Sequence, residues 1–391
     1  MATLDSPRRI LILRPGAIGD TLLTFPSFQA LRERFPGAEI TVVGNRSPLL
    51  LARDAGVIDA ADAFGAAWVA DLFGDEPTPE LRARLAPFEL GLVWMHSSEA
   101  AGDLAARLAR AGVKQAFPLV SFPPAGSRRH VAAHLMDTLA PLSVSAPFAD
   151  VSLSGGGGES LTLTLSQRER GQNGDRPVRN GDARGRLQPA VSALALQGED
   201  ERVALALKGE DDKEREPSEA PLVVLHPGAG ARRKRWPGER FAEVGRRLVE
   251  LGYALAITRG PADEEAVAAL QASLGRTPAR VLDGLPLPEL AAALARAQLF
   301  VGNDSGVTHL AAMVGAPTLA IFGPFDPAYW RPIGRRVAVV DAGQDCPHRD
   351  DPREGCRQCD LLPSLDVESV WTAATSLLDR SAPPRAEIGN G

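Results

Sequence analysis

A chain of 391 residues exceeds what a single hydrophobic core normally serves, so two domains are expected, and 44% hydrophobic residues supports a folded protein. The formal net charge of -6 argues against nucleic acid as the main partner, because there is no basic excess to release counterions. The short apolar run before Arg14 and Pro15 is too brief for a signal sequence or a membrane span, and a cytoplasmic protein is expected.

Arg8 to Leu13 reads as an apolar strand that runs into the glycine-bearing loop Arg14-Pro15-Gly16-Ala17-Ile18-Gly19-Asp20, which opens a helix. Leu22, Leu23, Phe28, Leu31 and Phe35 form a helical stripe interrupted by Pro26, so a kink or a restart is expected there. Glu39 to Val43 and Leu90 to Met95 are strands, and 102 to 111 and 131 to 142 are helical patterns. Strands alternating with helices predict a parallel sheet wrapped on both faces over residues 1 to 150.

Residues 151 to 220 break the pattern. They contain Gly155 to Gly158, no Phe, Trp, Tyr or Cys, and a near-duplication of ALALQGEDER (193 to 202) as ALALKGEDDK (204 to 213). Such a segment has too little apolar surface to offset its ordering entropy, and it reads as a disordered, low-complexity linker.

The alternation resumes over 221 to 379, before a polar tail at 380 to 391. Strand 222 to 226 leads into a glycine loop and a helix with Phe241, Val244, Leu248 and Leu251 on one face. Ala254 to Thr258 is the next strand, Leu287 to Ala297 a helix, and 367 to 378 the last helix. Between these lies the most legible stretch of the chain, LFVGNDSGVTHLAAMVGAPTLAIFG at 299 to 323: strand, turn, helix and strand in succession. Asp304 and Ser305 are both candidate N-caps, and Gly315 and Pro317 stop the helix. The fold class is therefore α/β, two Rossmann-like domains whose parallel sheets face a central cleft.

Three loops at strand C-terminal ends meet at one rim of the second domain: 226 to 235, 260 to 264 and 302 to 309. Gly228, Ala229 and Gly230, with Gly302 and Gly306, allow close backbone approach, and Lys234 among Arg232, Arg233 and Arg235 brings positive charge. The set suits a diphosphate, while solvated arginines and ordinary turn glycines are the plainer account. Glu264, or its neighbour Asp263, suits a ribose hydroxyl or simply a helix start. His309, four residues after Ser305, suits phosphate contact or core packing. Asp20 stands at a helix start, as a general base or as a cap. His130 and His134 have helical metal-ligand spacing but lack a third ligand nearby in sequence. Cys346, His348, Cys356 and Cys359 form a CxH…CxxC set with the residue types of tetrahedral zinc, although the irregular spacing favours reduced thiols packing a loop.

The order of RPGAIGDTLLTFPSFQALRERFPGAEITVV, HPGAGARRKRWPGERFAEVGRRL and VGNDSGVTHLAAMVGAPTLAIFG strongly resembles the family 9 glycosyltransferases, typified by ADP-heptose:lipopolysaccharide heptosyltransferases, over about 8 to 145 and 221 to 375. The resemblance implies a GT-B architecture, with acceptor on the N-terminal domain and nucleotide-sugar on the C-terminal one. It places the family's catalytic aspartate on Asp20 and the lysine of its KxWP element on Lys234. The D-[ST]-G-x-x-H motif falls on Asp304, Ser305, Gly306 and His309, and the acidic ribose contact on Glu264. Gly228-Ala229-Gly230 departs from relatives that carry hydroxyl side chains there, leaving backbone N–H groups in their place.

The implied activity is inverting transfer of a heptose-like sugar from an ADP-activated donor to a lipopolysaccharide-type or other cell-surface glycan. It requires no cofactor and no metal, and implies a peripheral contact at the inner face of the cytoplasmic membrane. The alternatives are the same fold with another NDP-sugar donor and a catalytically silent sugar-nucleotide-binding protein. A NAD-linked oxidoreductase is disfavoured because neither glycine loop spells GxGxxG.

Overall fold

The computed structural model describes residues 6–144, 150–156, 159–166 and 220–379. The N-terminal domain runs β1 (Arg9–Arg14), α1 (Ile18–Leu22), α2 (Phe25–Arg34), β2 (Glu39–Gly44), α3 (Arg46–Asp54), β3 (Ala60–Ala63), α4 (Ala67–Ala70) and α5 (Pro79–Leu85). It continues through β4 (Leu90–Met95), α6 (Ser98–Arg110), β5 (Gln115–Val120) and α7 (Val131–Asp137). Its strands are parallel, in the order β3-β2-β1-β4-β5. Pro26 produces the restart expected of it: α1 ends at Leu22 and α2 begins at Phe25, with the proline in its first turn, where a missing N–H costs nothing.

The expected linker begins with an antiparallel ribbon, β6 (Asp150–Gly156) and β7 (Glu159–Ser166), a pairing the composition did not suggest. The duplicated ALAL pieces, the rest of 167 to 219 and the polar tail lie outside the described residues.

The C-terminal domain comprises β8 (Leu222–His226), α8 (Gly238–Glu250), β9 (Ala254–Arg259), α9 (Glu264–Leu274), β10 (Arg280–Asp283), α10 (Leu287–Ala295) and β11 (Leu299–Asn303). Next come α11 (Gly306–Met313), β12 (Thr318–Phe322), α12 (Pro327–Trp330), β13 (Val337–Asp341) and α13 (Val367–Asp379). Its sheet has six parallel strands in the order β10-β9-β8-β11-β12-β13. In both domains the strand order reverses between the first and fourth strands, and ligands of open α/β sheets bind outside the carboxyl ends at such a switch point.

Period-two alternation divides each sheet between two apolar layers. Leu11, Leu13, Val43 and Val93 pack with Leu104 and Leu108 of α6, while Ile10, Ile12, Ile40 and Leu92 face α2 and α7. In the second domain Val223, Leu225, Ile257, Val301 and Ile321 pack against α8, α9 and α13. The other face, with Val224, Ala256 and Phe300, belongs to the same apolar cluster as the inner layer of the first domain, so one core joins both. Trp94 is fully buried in it and donates from Nε1 to Thr138 Oγ1 at 2.9 Å. Trp94→Ala is expected to lower unfolding stability by about 3–5 kcal/mol through cavity formation, read from urea denaturation, and Trp94→Phe by less.

Candidate functional site

Asn303 is the last residue of β11, fully buried, at the C-terminal edge of the second sheet. Its Oδ1 accepts from Trp236 N–H at 2.9 Å, and its Nδ2 donates to Pro227 O at 2.8 Å. A single carboxamide at the end of β11 thus holds both ends of the loop after β8, the loop that carries Lys234, across the switch point. The local sequence pattern marks this position only as turn chemistry. The available signal is an amide closing a fully apolar strand, where both of its polar ends need partners.

Lys234 ends a short 3-10 turn, Arg232–Lys234, and Trp236 anchors the chain just beyond it: its Nε1 donates to Leu365 O at 3.0 Å and its ring meets Phe241 edge-on at 5.0 Å. Lys234 Nζ lies 2.7 Å from Asp304 Oδ2 and 4.9 Å from the Phe325 ring centroid. Asp304 is buried while the ammonium keeps partial exposure, so the carboxylate orients the lysine and leaves other N–H donors for an incoming anion. The neighbouring arginines do not share this task. Arg232 and Arg235 pair with Glu265 at 2.7 Å and 3.0 Å, and Arg233 donates to the Glu354 and Cys356 carbonyls. The basic run is thus divided: one side chain faces the rim and three hold neighbouring loops.

Gly228 is forced by close approach. A Cβ there would lie 2.0 Å from Asp263 Oδ1 and 2.9 Å from His226 Cε1. Asp263 is buried and accepts from Gly260 N–H at 2.9 Å, whereas Glu264, the residue matched to ribose contact, is exposed in the first turn of α9. Ala229 is buried and Gly230 faces open space. His226 bonds Thr258 Oγ1 through Nδ1 at 2.8 Å, and its burial lowers its pKa.

Of the two candidate caps, Ser305 is the one used, its Oγ accepting from Thr308 N–H at 3.3 Å. The start of α11 then meets the first domain. A Cβ on Gly306 would lie 2.7 Å from Ile18 Cβ and 3.1 Å from Gly19 N, and one on Gly19 would lie 3.1 Å from His309 Cδ2. The α11 N-terminus and the GAIGD loop are therefore in direct contact, which brings His309 beside the residue preceding Asp20. Asp20 Oδ2 accepts from Ala17 N–H at 2.9 Å, so the capping role is real. Its Oδ1 faces Arg14 Nη2 at 4.0 Å, and the buried Arg14 also donates to Thr24 Oγ1 and Pro15 O. Thr24 and Phe325 are further residues that the sequence pattern does not single out, and Phe325 meets Lys234 only because distant segments are brought together.

His309 is buried and its pKa is lowered to about 4, mainly by desolvation, with Asp304 opposing and Lys234 and His130 reinforcing. Its Nδ1 has no hydrogen-bond partner among the described residues. His130 is lowered likewise to about 4, and its Nε2 is 2.9 Å from Arg331 O of the other domain. His134 Nε2 is 3.0 Å from Val120 O, so the pair with metal-ligand spacing contacts separate carbonyls instead. Cys346, His348, Cys356 and Cys359, by contrast, bring their ligand atoms within 4.8 Å of one another.

Two Rossmann-like domains with facing strand ends and a lysine-bearing rim at the second switch point define a protein of GT-B architecture. Residues 189–358 match the family model described as glycosyltransferase family 9 (heptosyltransferase), and over that range the chain is similar to family 9. It is 32% identical over 150 residues to lipopolysaccharide heptosyltransferase 3 of Escherichia coli, covering 37% of this chain and 44% of that one. It is 36% identical over 128 residues to lipopolysaccharide heptosyltransferase 1 of Pseudomonas aeruginosa, covering 33% and 35%. The alignments thus span less than half of these curated relatives' length. The fold is that of the family 9 glycosyl transferase of Veillonella parvula, at TM-score 0.66 and 21% identity over 97% of this chain and 99% of that one. The E. coli ADP-heptose lps heptosyltransferase II superposes at TM-score 0.61 and 20% identity, covering 95% and 99%.

Asn303→Ala leaves the Trp236 N–H and the Pro227 carbonyl unpaired, and a loss of about 2–4 kcal/mol is expected by urea denaturation. The two histidines set a pH dependence. Their folded pKa of about 4 lies below the ordinary 6.5, so between these values the unfolded chain binds more protons. Stability therefore falls as pH drops through that window, by at most roughly 3 kcal/mol per histidine. Urea midpoints from pH 7 to pH 4 should show it, with a shallower slope for His309→Gln.

Proposed function

We propose that the chain is an inverting glycosyltransferase that moves a heptose-like sugar from an ADP-activated donor to a lipopolysaccharide-type or other cell-surface glycan. The observation that carries this reading is the contact of the α11 start with the GAIGD loop. There Gly19, the residue before Asp20, lies against His309 of the other domain, and His309 follows Asp304, the partner of Lys234, by five residues. The names of the relatives supply the sugar and the donor, and the rim supplies the counter-charge for a diphosphate.

In this reading the acceptor hydroxyl gives its proton to Asp20 Oδ1 while its oxygen attacks the anomeric carbon. The bond from that carbon to the diphosphate breaks on the opposite side, and a single displacement inverts the configuration. Lys234 meets the charge developing on the departing diphosphate, held in place by Asp304 and by the Phe325 face. His309, neutral at pH 7, acts as an imidazole rather than as a fixed cation. No helix among the described residues is long and apolar enough to cross a membrane, and contact with a lipid-linked acceptor is proposed to be peripheral.

The Gly228-Ala229-Gly230 loop favours one alternative, the same reaction with another NDP-sugar, because it offers backbone rather than hydroxyl donors. Calorimetry with ADP, UDP, GDP and NAD separates them: preferential ADP binding is expected, weakened in Lys234→Ala. Tight UDP or GDP binding would retain the class and discard the heptose donor, and NAD preference would overturn the reading. In transfer assays with ADP-heptose, Asp20→Asn keeps an oxygen for the Ala17 N–H. It should lower kcat by about 10²–10⁴ with ADP affinity unchanged. ADP-heptose binding without any transfer by the wild type would identify a silent binding protein.

A further inference from the structure

Between the end of β13 and the short 3-10 turn at Leu362–Ser364, residues 342 to 361 contain neither helix nor strand. Unstructured stretches of this length inside a folded domain are uncommon and need another source of order. Part of that order comes from the loop after β12. Arg349 pairs with Asp341 at 2.6 Å and donates to Gly323 O at 3.0 Å, Cys356 N–H donates to Pro324 O at 2.7 Å, and Tyr329 donates to Asp350 O at 2.9 Å. Within the segment from Cys346 to Cys359 one backbone bond, Gly355 N–H to Asp351 O at 3.0 Å, accompanies the approach of the side chains.

There the distances are informative. Cys346 Sγ lies 3.9 Å from Cys359 Sγ and 4.0 Å from His348 Nδ1, and Cys359 Sγ lies 3.7 Å from the same nitrogen. Cys356 completes the group, every ligand atom being within 4.8 Å of the others. Ligands on the corners of a tetrahedron around zinc, with Zn–S of about 2.3 Å and Zn–N of about 2.0 Å, stand about 3.8 Å apart for two sulfurs and about 3.5 Å apart for sulfur and nitrogen. The sulfurs are far beyond disulfide bonding distance, and all three cysteines are free thiols. Three thiols and one imidazole are a soft donor set that suits zinc and not magnesium or calcium.

We propose that Cys346, His348, Cys356 and Cys359 form a structural zinc(II) site that closes the 342 to 361 loop. With four protein ligands the coordination sphere is complete, so the metal serves order and not catalysis. Its position matters to the rim, because Arg233 donates to the carbonyls of Glu354 and Cys356 while its guanidinium lies 5.2 Å from the centroid of the Phe325 ring that also faces Lys234. The assignment is independent of the sugar-transfer reading, since it concerns metal content.

The test is elemental analysis of the full-length protein purified without chelator. About one zinc per chain is expected for the wild type, and its thiols should react with Ellman's reagent only after zinc is withdrawn. His348→Ala, whose side chain is exposed, keeps the fold while weakening zinc affinity by at least about 100-fold in chelator competition. Cobalt(II) reconstitution should give the strong visible bands of a tetrahedral thiolate site, diminished in Cys359→Ser. Freely reactive thiols with no bound metal, a disulfide found by mass spectrometry, iron in place of zinc, or unchanged zinc affinity in His348→Ala would each overturn the assignment.

Discussion

The hydrogen bonds of the Asn303 carboxamide join the end of β11 to the loop after β8, across the strand-order reversal in the second sheet. An amide is suited to this because it donates and accepts at once, and its burial makes either bond costly to lose. From the same backbone position the chain continues into Asp304, which holds Lys234, and Ser305, which caps α11. Three consecutive residues thus orient the neighbouring loop, a cation and a helix end. The β11 strand beneath them is buried along its whole length, which gives these residues a rigid platform.

The contact between domains rests on a different constraint, the absence of side chains. Gly19 and Gly306 let two backbone segments approach where a methyl group would collide with Ile18 or His309. His309 is buried at this contact, and its burial lowers its pKa to about 4. The apolar cluster shared by both domains supports the same geometry from below.

Charge at the rim is organised by partner choice and not by amount. Four consecutive basic residues, Arg232 to Arg235, suggest a diffuse positive field, yet three of them are engaged by Glu265 or by carbonyls of the loop that carries the cysteines. Lys234 alone is paired with a buried carboxylate, Asp304, and it shares the Phe325 face with Arg233. An ammonium with spare donors can change partners as an anion arrives. A guanidinium held by two backbone carbonyls is already committed to structure.

Much of the architecture was determined by sequence alone, for local physical reasons. Apolar runs of strand length, the Pro26 restart, the Ser305 cap and the Gly315 stop depend on neighbours within a few residues, and each appears where the pattern placed it. The β6–β7 ribbon escaped, because composition reports how much apolar surface a segment has and not which strands pair. The contact of the GAIGD loop with the start of α11, the division of labour among the arginines, and Asp263 rather than Glu264 being buried were decided only when distant strands were laid side by side. The convergence of Cys346, His348, Cys356 and Cys359 belongs to the same class: the residue types were visible, but irregular spacing conceals proximity when a loop folds back on itself. Sequence encodes local conformational preference directly, whereas the partner of a buried polar group depends on chain segments brought together by the whole topology.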